Sequence, residues 1–118
     1  MLTLLQLKGK HLLMRVLGID YGMRRIGLAL SDPTETIATP LDTLIRRRGK
    51  RAPLSKIESI AIEKGAEHLV IGLPLNLEGN ETEWSGEVRA FGASLSKRMN
   101  LQVSFVDERM TSVRAERT

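Results

Sequence analysis

Asp20 is the one carboxylate in an otherwise apolar run, Val16-Leu17-Gly18-Ile19-Asp20-Tyr21-Gly22. A strand that ends in a carboxylate beside a glycine turn places that carboxylate where backbone can approach a phosphate or a metal closely. Buried carboxylates occur paired, hydrogen-bonded or metal-bound. An Asp that only caps a turn has the same local signature. Asp107-Glu108-Arg109 follows a second apolar stretch, Val103-Ser104-Phe105-Val106. Two acidic strand ends brought to one sheet edge make a site for a hard divalent cation, and such a cation activates water against a phosphodiester. The chain has no Cys, so thiolate metal sites, disulfides and a cysteine nucleophile are excluded. His11 and His68 lie away from both acidic centres, and His68 opens an apolar run, so a His-based mechanism is not expected.

The elements that must position these groups are legible as periodicities. Strand-like segments cover 15–20, 26–31 and 36–45, joined by short turns containing Gly22 and Pro33, and short turns imply an antiparallel meander. A helix is expected over 53–65, where Leu54, Ile57, Ile60, Ala61 and Lys64 share a face between Pro53 and Gly65. His68-Leu69-Val70-Ile71-Gly72 reads as a strand buried on both faces. A turn-rich loop, 73–80, leads to a second helix over about 82–99, in which Trp84, Val88, Phe91 and Leu95 form one stripe. Trp84 is therefore read as core. A strand over 103–106 follows, and Thr111 or Ser112 would cap a final helix. The order β-β-β-α-β-α-β-α implies an α/β fold, with a mixed five-stranded sheet and flanking helices. The C-terminal ends of the first, fourth and fifth strands then share one edge, where ligands of open α/β sheets bind.

At 118 residues, with 42% hydrophobic and 27% charged residues, the chain is expected to form one domain with a small aliphatic core. No apolar run is long enough to span a membrane, and residues 1–13 read as an N-terminal extension rather than a signal peptide. The net charge is +4, and Arg46, Arg47, Arg48, Lys50 and Arg51 crowd one segment. Such a cluster suits a polyanion through counterion release, or it is a solvated basic loop. Aromatics are only 3% of the chain, which leaves Tyr21 and Trp84 as its candidate stacking groups.

Gly18-Ile19-Asp20-Tyr21-Gly22, Arg25-Ile26-Gly27, Ser31-Asp32, Val70-Ile71-Gly72-Leu73-Pro74-Leu75-Asn76 with Gly79, and Asp107-Glu108-Arg109-Met110-Thr111 resemble, in the correct order, successive motifs of the YqgF family. Members of that family are called pre-16S rRNA nucleases or Holliday junction resolvases. The resemblance covers residues 14–118. It implies a ribonuclease H-like fold and metal-dependent phosphodiester hydrolysis in rRNA processing or junction resolution, with Mg²⁺ or Mn²⁺, two ions, as cofactor. It also implies a cytoplasmic protein that takes structured RNA or branched DNA and forms a homodimer for junction cleavage. The first family carboxylate falls on Asp20 and the second on Asp107-Glu108. Strand alternation favours Glu108 and leaves Asp107 as the alternative. The family's third carboxylate lies on a helix beyond residue 118, so 14–118 is expected to be a nuclease domain without its final helix, and much less active for it. Arg24, Arg25 and Arg109 are expected to contact phosphate or to pair with neighbouring carboxylates. Asn76 and nearby backbone amides would touch the sugar-phosphate chain.

Two other functions fit parts of this pattern. A non-catalytic nucleic-acid-binding module fits the basic cluster. An actin-like ATP-binding fold also opens with Asp-x-Gly, but Met23 and Arg24 stand where a phosphate-binding hydroxyl is needed, and 118 residues hold no second lobe.

Overall fold

The computed structural model describes residues 14–31, 39–46 and 51–108. The final helix expected from Thr111 or Ser112, the extension 1–13, and Asp32, Arg47, Arg48, Lys50 and Arg109 all lie outside the described residues.

Strand β1 (Val16–Tyr21) is central. It pairs antiparallel with β2 (Arg25–Ser31) through a tight hairpin. Gly22 is required in that hairpin. A Cβ there would stand 2.7 Å from the Arg25 carbonyl oxygen, which accepts the Gly22 N–H at 2.9 Å. On the other side β1 pairs in parallel with β5 (His68–Leu73), and β5 pairs in parallel with β6 (Gln102–Asp107). Residues of the third expected strand form two short ones, β3 (Thr39–Pro40) and β4 (Leu44–Ile45), both antiparallel to β2. The sheet thus has six strands rather than five, in the order β3-β2-β1-β5-β6 with β4 also on β2. The break has a simple cause. Ala29 faces Pro40 and Ile26 faces Leu44, so Gly27 and Leu28 oppose Leu41, Asp42 and Thr43, one residue too many. The extra residue makes a bulge, and Pro40, without an N–H, is tolerated on an edge strand.

Two helices, α1 (Leu54–Lys64) and α2 (Glu83–Met99), lie on one face of the sheet. Gly65 closes α1 in the left-handed conformation, at φ 69°, and Asn100 closes α2 at φ 55°. Thr82 and Ser85 form a reciprocal capping box at the start of α2. Ile57 and Ala61 of α1, and Val88, Phe91 and Leu95 of α2, cover Leu17, Ile19, Leu28, Leu69 and Ile71. Helix α2 approaches the strands closely because residue 92 is glycine: a Cβ there would lie 2.7 Å from Phe105 Cζ. Among the described residues no helix is long and apolar enough to cross a membrane.

Candidate metal centre and its surroundings

The opposite face of the sheet carries different side chains. Val16, Gly18 and Asp20 of β1 alternate onto it, as do Gly27, Ala29 and Ser31 of β2 and His68, Val70 and Gly72 of β5. Ser104 and Val106 of β6 also face this way, and Glu108 continues their alternation.

Asp20 and Glu108 meet at the C-terminal edge of this face. Strand β5 runs between their two strands, so their backbones are two strand spacings apart, roughly 10 Å. Gly72 is the residue of β5 beneath them. A Cβ at Gly72 would be 3.4 Å from both Cγ and Oε1 of Glu108. Glycine at this position leaves the Glu108 side chain room over β5, where a methyl group would come into close contact with it. Gly27, paired with Asp20 across the hairpin, leaves similar space on the other flank.

The pairing shows in the electrostatics. Burial raises the Glu108 carboxyl to about 8, assisted by its hydrogen bond to Asp20 and by the charge of Asp20. Burial and the neighbouring carboxylate both disfavour the charged form of Glu108. A hard divalent cation relieves that conflict, since Mg²⁺ binds through one or two carboxylates and keeps water and phosphate in its other positions. The donor set therefore fits such an ion. Among the described residues no group of three His, Cys, Asp or Glu is placed to hold a metal.

Asp107 stands apart from this pair. It lies in register with Leu73, on the helix-covered side. His68 is buried at the far end of β5, with Nε2 2.8 Å from Ser104 Oγ, and it is structural.

The loop after β5 is held together by hydrogen bonds of its own. Asn76 Oδ1 accepts from the N–H groups of Glu78 and Asn80 at 3.0 and 2.9 Å, so this oxygen shapes the loop. Gly79 adopts φ 85°, and its N–H donates to the Asn76 carbonyl. Ser85 donates to the Pro74 carbonyl, tying the loop to α2. The apex residue Leu77 is 94% exposed.

Arg24 and Arg25 are exposed at the β1–β2 hairpin beside Asp20. Arg46 runs alongside, its N–H donating to the Arg24 carbonyl at 2.7 Å. Its guanidinium lies 5.0 Å from the Tyr21 ring centroid and 5.9 Å from that of Trp84. Tyr21 stacks on Phe91 at 3.9 Å and on Trp84 at 5.5 Å, both nearly parallel. Trp84 packs on the core while staying partly open. Composition hid this arrangement, because few aromatics suggested no stacking surface. Alternation of Tyr21 onto the helix side, facing the Trp84–Phe91 stripe, was the available signal. Arg51 is exposed beside Tyr21 and Phe91.

Residues 14–118 match the RuvX family, described as Holliday junction resolvase. Proteins named "Putative pre-16S rRNA nuclease" are similar over most of the chain. The one from Maridesulfovibrio salexigens is 42% identical over 103 residues, covering 87% of this chain and 76% of the relative. The one from Moorella thermoacetica is 43% identical over 104 residues, covering 88% and 74%. Among solved structures, Thermus thermophilus RuvC in complex with a Holliday junction substrate superposes with a TM-score of 0.56 at 15% identity, over 80% of this chain and 66% of that one. Free RuvC of the same organism gives 0.55 at 15% identity, over 80% and 64%. These two likenesses establish the ribonuclease H-like fold.

Proposed function

The chain belongs to the RuvX Holliday junction resolvase family, and from that premise we propose that it is a divalent-metal-dependent nuclease acting in the cytoplasm on structured RNA, at the 5′ end of pre-16S rRNA. The observation that carries this reading is the meeting of Asp20 and Glu108 over Gly72. The names of the relatives favour rRNA, and the family description keeps branched DNA as the other substrate. The nuclease domain is 14–118, where the family match lies, and 1–13 is an extension to it. Cleavage of a four-way junction requires two active sites and hence a homodimer.

Asp20 and Glu108 would hold Mg²⁺ or Mn²⁺, which supplies water activation and charge neutralisation at phosphorus. The rest is done by the chain's own groups. The strand ends hold the carboxylates on a rigid edge, so little reorganisation accompanies substrate binding. Glu108 would have to release its proton to ligate a cation, which would couple occupancy to pH. Arg24 and Arg25, on the adjoining hairpin, attract the phosphate backbone without reading sequence. Arg109, Arg47, Arg48, Lys50 and Arg51 extend that attraction, and Arg46 links it to the aromatic stack. Asn76 keeps the neighbouring loop in shape.

Pre-rRNA 5′ fragments and four-way DNA junctions, incubated side by side with Mg²⁺ or Mn²⁺, test this function. Metal-dependent cuts in the RNA that vanish in Asp20→Asn are expected. Binding without cleavage by the wild-type chain would instead establish a non-catalytic module, a reading favoured by the two-carboxylate donor set of the described residues.

A further inference from the structure

Around the corner of the sheet edge from Asp20 lies a cavity of about 370 Å³ lined by Met23, Arg46, Glu83, Trp84 and Glu87. Its chemistry differs from that of a phosphate groove. It has an indole face, a guanidinium held beside two aromatic rings, an exposed thioether, and two carboxylates one helical turn apart on α2. The carboxylates repel phosphate. They accept hydrogen bonds from exocyclic amino groups, as acidic side chains do from cytosine N4. Flat, π-faced ligands with a polar edge fit the combination of stacking surface and acceptors.

We propose that this cavity receives one unstacked base of the substrate strand. The base stacks against Trp84 and Met23, Arg46 holds its 5′ or 3′ phosphate, and Glu83 and Glu87 accept from its amino group. This rests on the nuclease reading and adds to it a base preference at a site separate from the metal centre. Tyr21 connects the two places: its backbone follows Asp20 directly, while its ring supports Trp84 from below. Asp20 and Tyr21 are consecutive, so the two sites lie on either side of the same strand end. Uracil presents carbonyl oxygens where the other bases offer an amino group, so it is the disfavoured occupant.

The chain has a single tryptophan, so its fluorescence reports on this cavity alone. The experiment titrates the 118-residue protein in chelator, where no cleavage occurs, with oligoadenylate, oligocytidylate, oligouridylate and an abasic oligomer of equal length. Adenylate and cytidylate are expected to quench Trp84 and to bind about tenfold tighter than uridylate. The abasic oligomer is expected to leave the emission unchanged. Glu83→Ala with Glu87→Ala is expected to erase the preference for amino-bearing bases, while Arg46→Ala weakens binding of all four. Equal affinity and equal emission with all oligomers, including the abasic one, would overturn the proposal and leave the nuclease reading intact. Should no oligomer bind at all and no metal-dependent cleavage occur, both fall together. Trp84→Leu gives a check without fluorescence: by electrophoretic shift it should bind adenylate and uridylate equally, and a retained difference contradicts the assignment.

Discussion

The two faces of one sheet are built to different rules. On the helix side the strands present Leu17, Ile19, Tyr21, Ile26, Leu28, Leu69, Ile71 and Leu73, all large and buried. On the other side the same strands present Val16, Gly18, Asp20, Gly27, Ala29, Ser31, His68, Val70 and Gly72, smaller on the whole, and of these Val16, Ala29, Ser31, His68 and Val70 are buried as well. A face that must bury area uses bulky aliphatics, each worth about 1.5–3 kcal/mol when covered. Only at its C-terminal edge, where Gly27 and Gly72 flank Asp20 and Glu108, does the second face combine residues that take up little room with acidic side chains. The alternation of the β-strand lets neighbouring residues serve both purposes, and it places Asp20 between Ile19 and Tyr21 without disturbing either.

Breaking the carboxylate edge should cost function and spare the fold. Asp20→Asn is expected to lower metal-dependent cleavage by roughly a thousandfold, with the denaturant midpoint nearly unchanged. Turnover of fragment substrates and urea unfolding of the same preparation measure the two halves of that statement. A variant that loses both equally would show that the carboxylate pair is a structural element.

Breaking the covered face should do the reverse. Ile71→Ala removes a fully buried side chain beneath α2 and is expected to cost about 2–5 kcal/mol. Val70→Ala, next to it on the opposite and equally buried face, removes a smaller side chain and is expected to cost less, about 2 kcal/mol. Urea titration measures both, and no loss in Val70→Ala would mean that the second face is not packed.

The glycines sharpen the contrast. Gly92→Ala drives a methyl against Phe105, with the nearest carbon at 2.7 Å, and is expected to destabilise by about 1–3 kcal/mol. Gly72→Ala meets Glu108 at 3.4 Å, where the flexible carboxylate yields a few tenths of an ångström. Its expected result is a near-native melting temperature with cleavage reduced about tenfold.

A pH dependence follows from the same pair of carboxylates. The Glu108 carboxyl sits at about 8 in the folded chain, against an ordinary 4.5. The folded metal-free protein therefore holds this proton more tightly than the unfolded one. Its contribution to stability is complete below about 4.5 and is lost as pH rises to about 8. Unfolding midpoints measured in chelator should fall across that window, and Glu108→Gln should flatten the slope. Saturating Mg²⁺ should also flatten it, while releasing a proton on binding near neutrality.

Much of this arrangement was readable from the chain. The 82–99 helix announced itself by the Trp84, Val88, Phe91 and Leu95 stripe, while the Thr82–Ser85 capping box at its start came to light only in the structure. Alternation alone separates Asp107 from Glu108, since successive strand residues point to opposite faces. Other features depend on strands distant in sequence. The space above Gly72 has meaning only once β1 and β6 flank β5. The split of the third strand follows from its register against β2, which no local pattern reveals. Arg46 read as one member of a charge run, because its contact with Tyr21 and Trp84 is formed by two other elements. Asn76 read as a side chain that touches the sugar-phosphate chain, and the sequence did not reveal that its Oδ1 also accepts from the Glu78 and Asn80 N–H groups of its own loop.

The one-residue mismatch between β2 and its two short partners also bears on how copies of the chain tolerate one another. A long, regular outer strand offers a ladder of unpaired donors and acceptors, onto which a second copy can add and start a fibril. Here that ladder is spoiled. Pro40 withholds a donor, and the surplus residue among Leu41, Asp42 and Thr43 puts the upper rungs out of phase with the lower ones. An incoming straight strand matches one half or the other, never both. The kink thus acts as a guard against aggregation on this flank, and straightening it by deleting one of the three residues should make the protein more prone to precipitate.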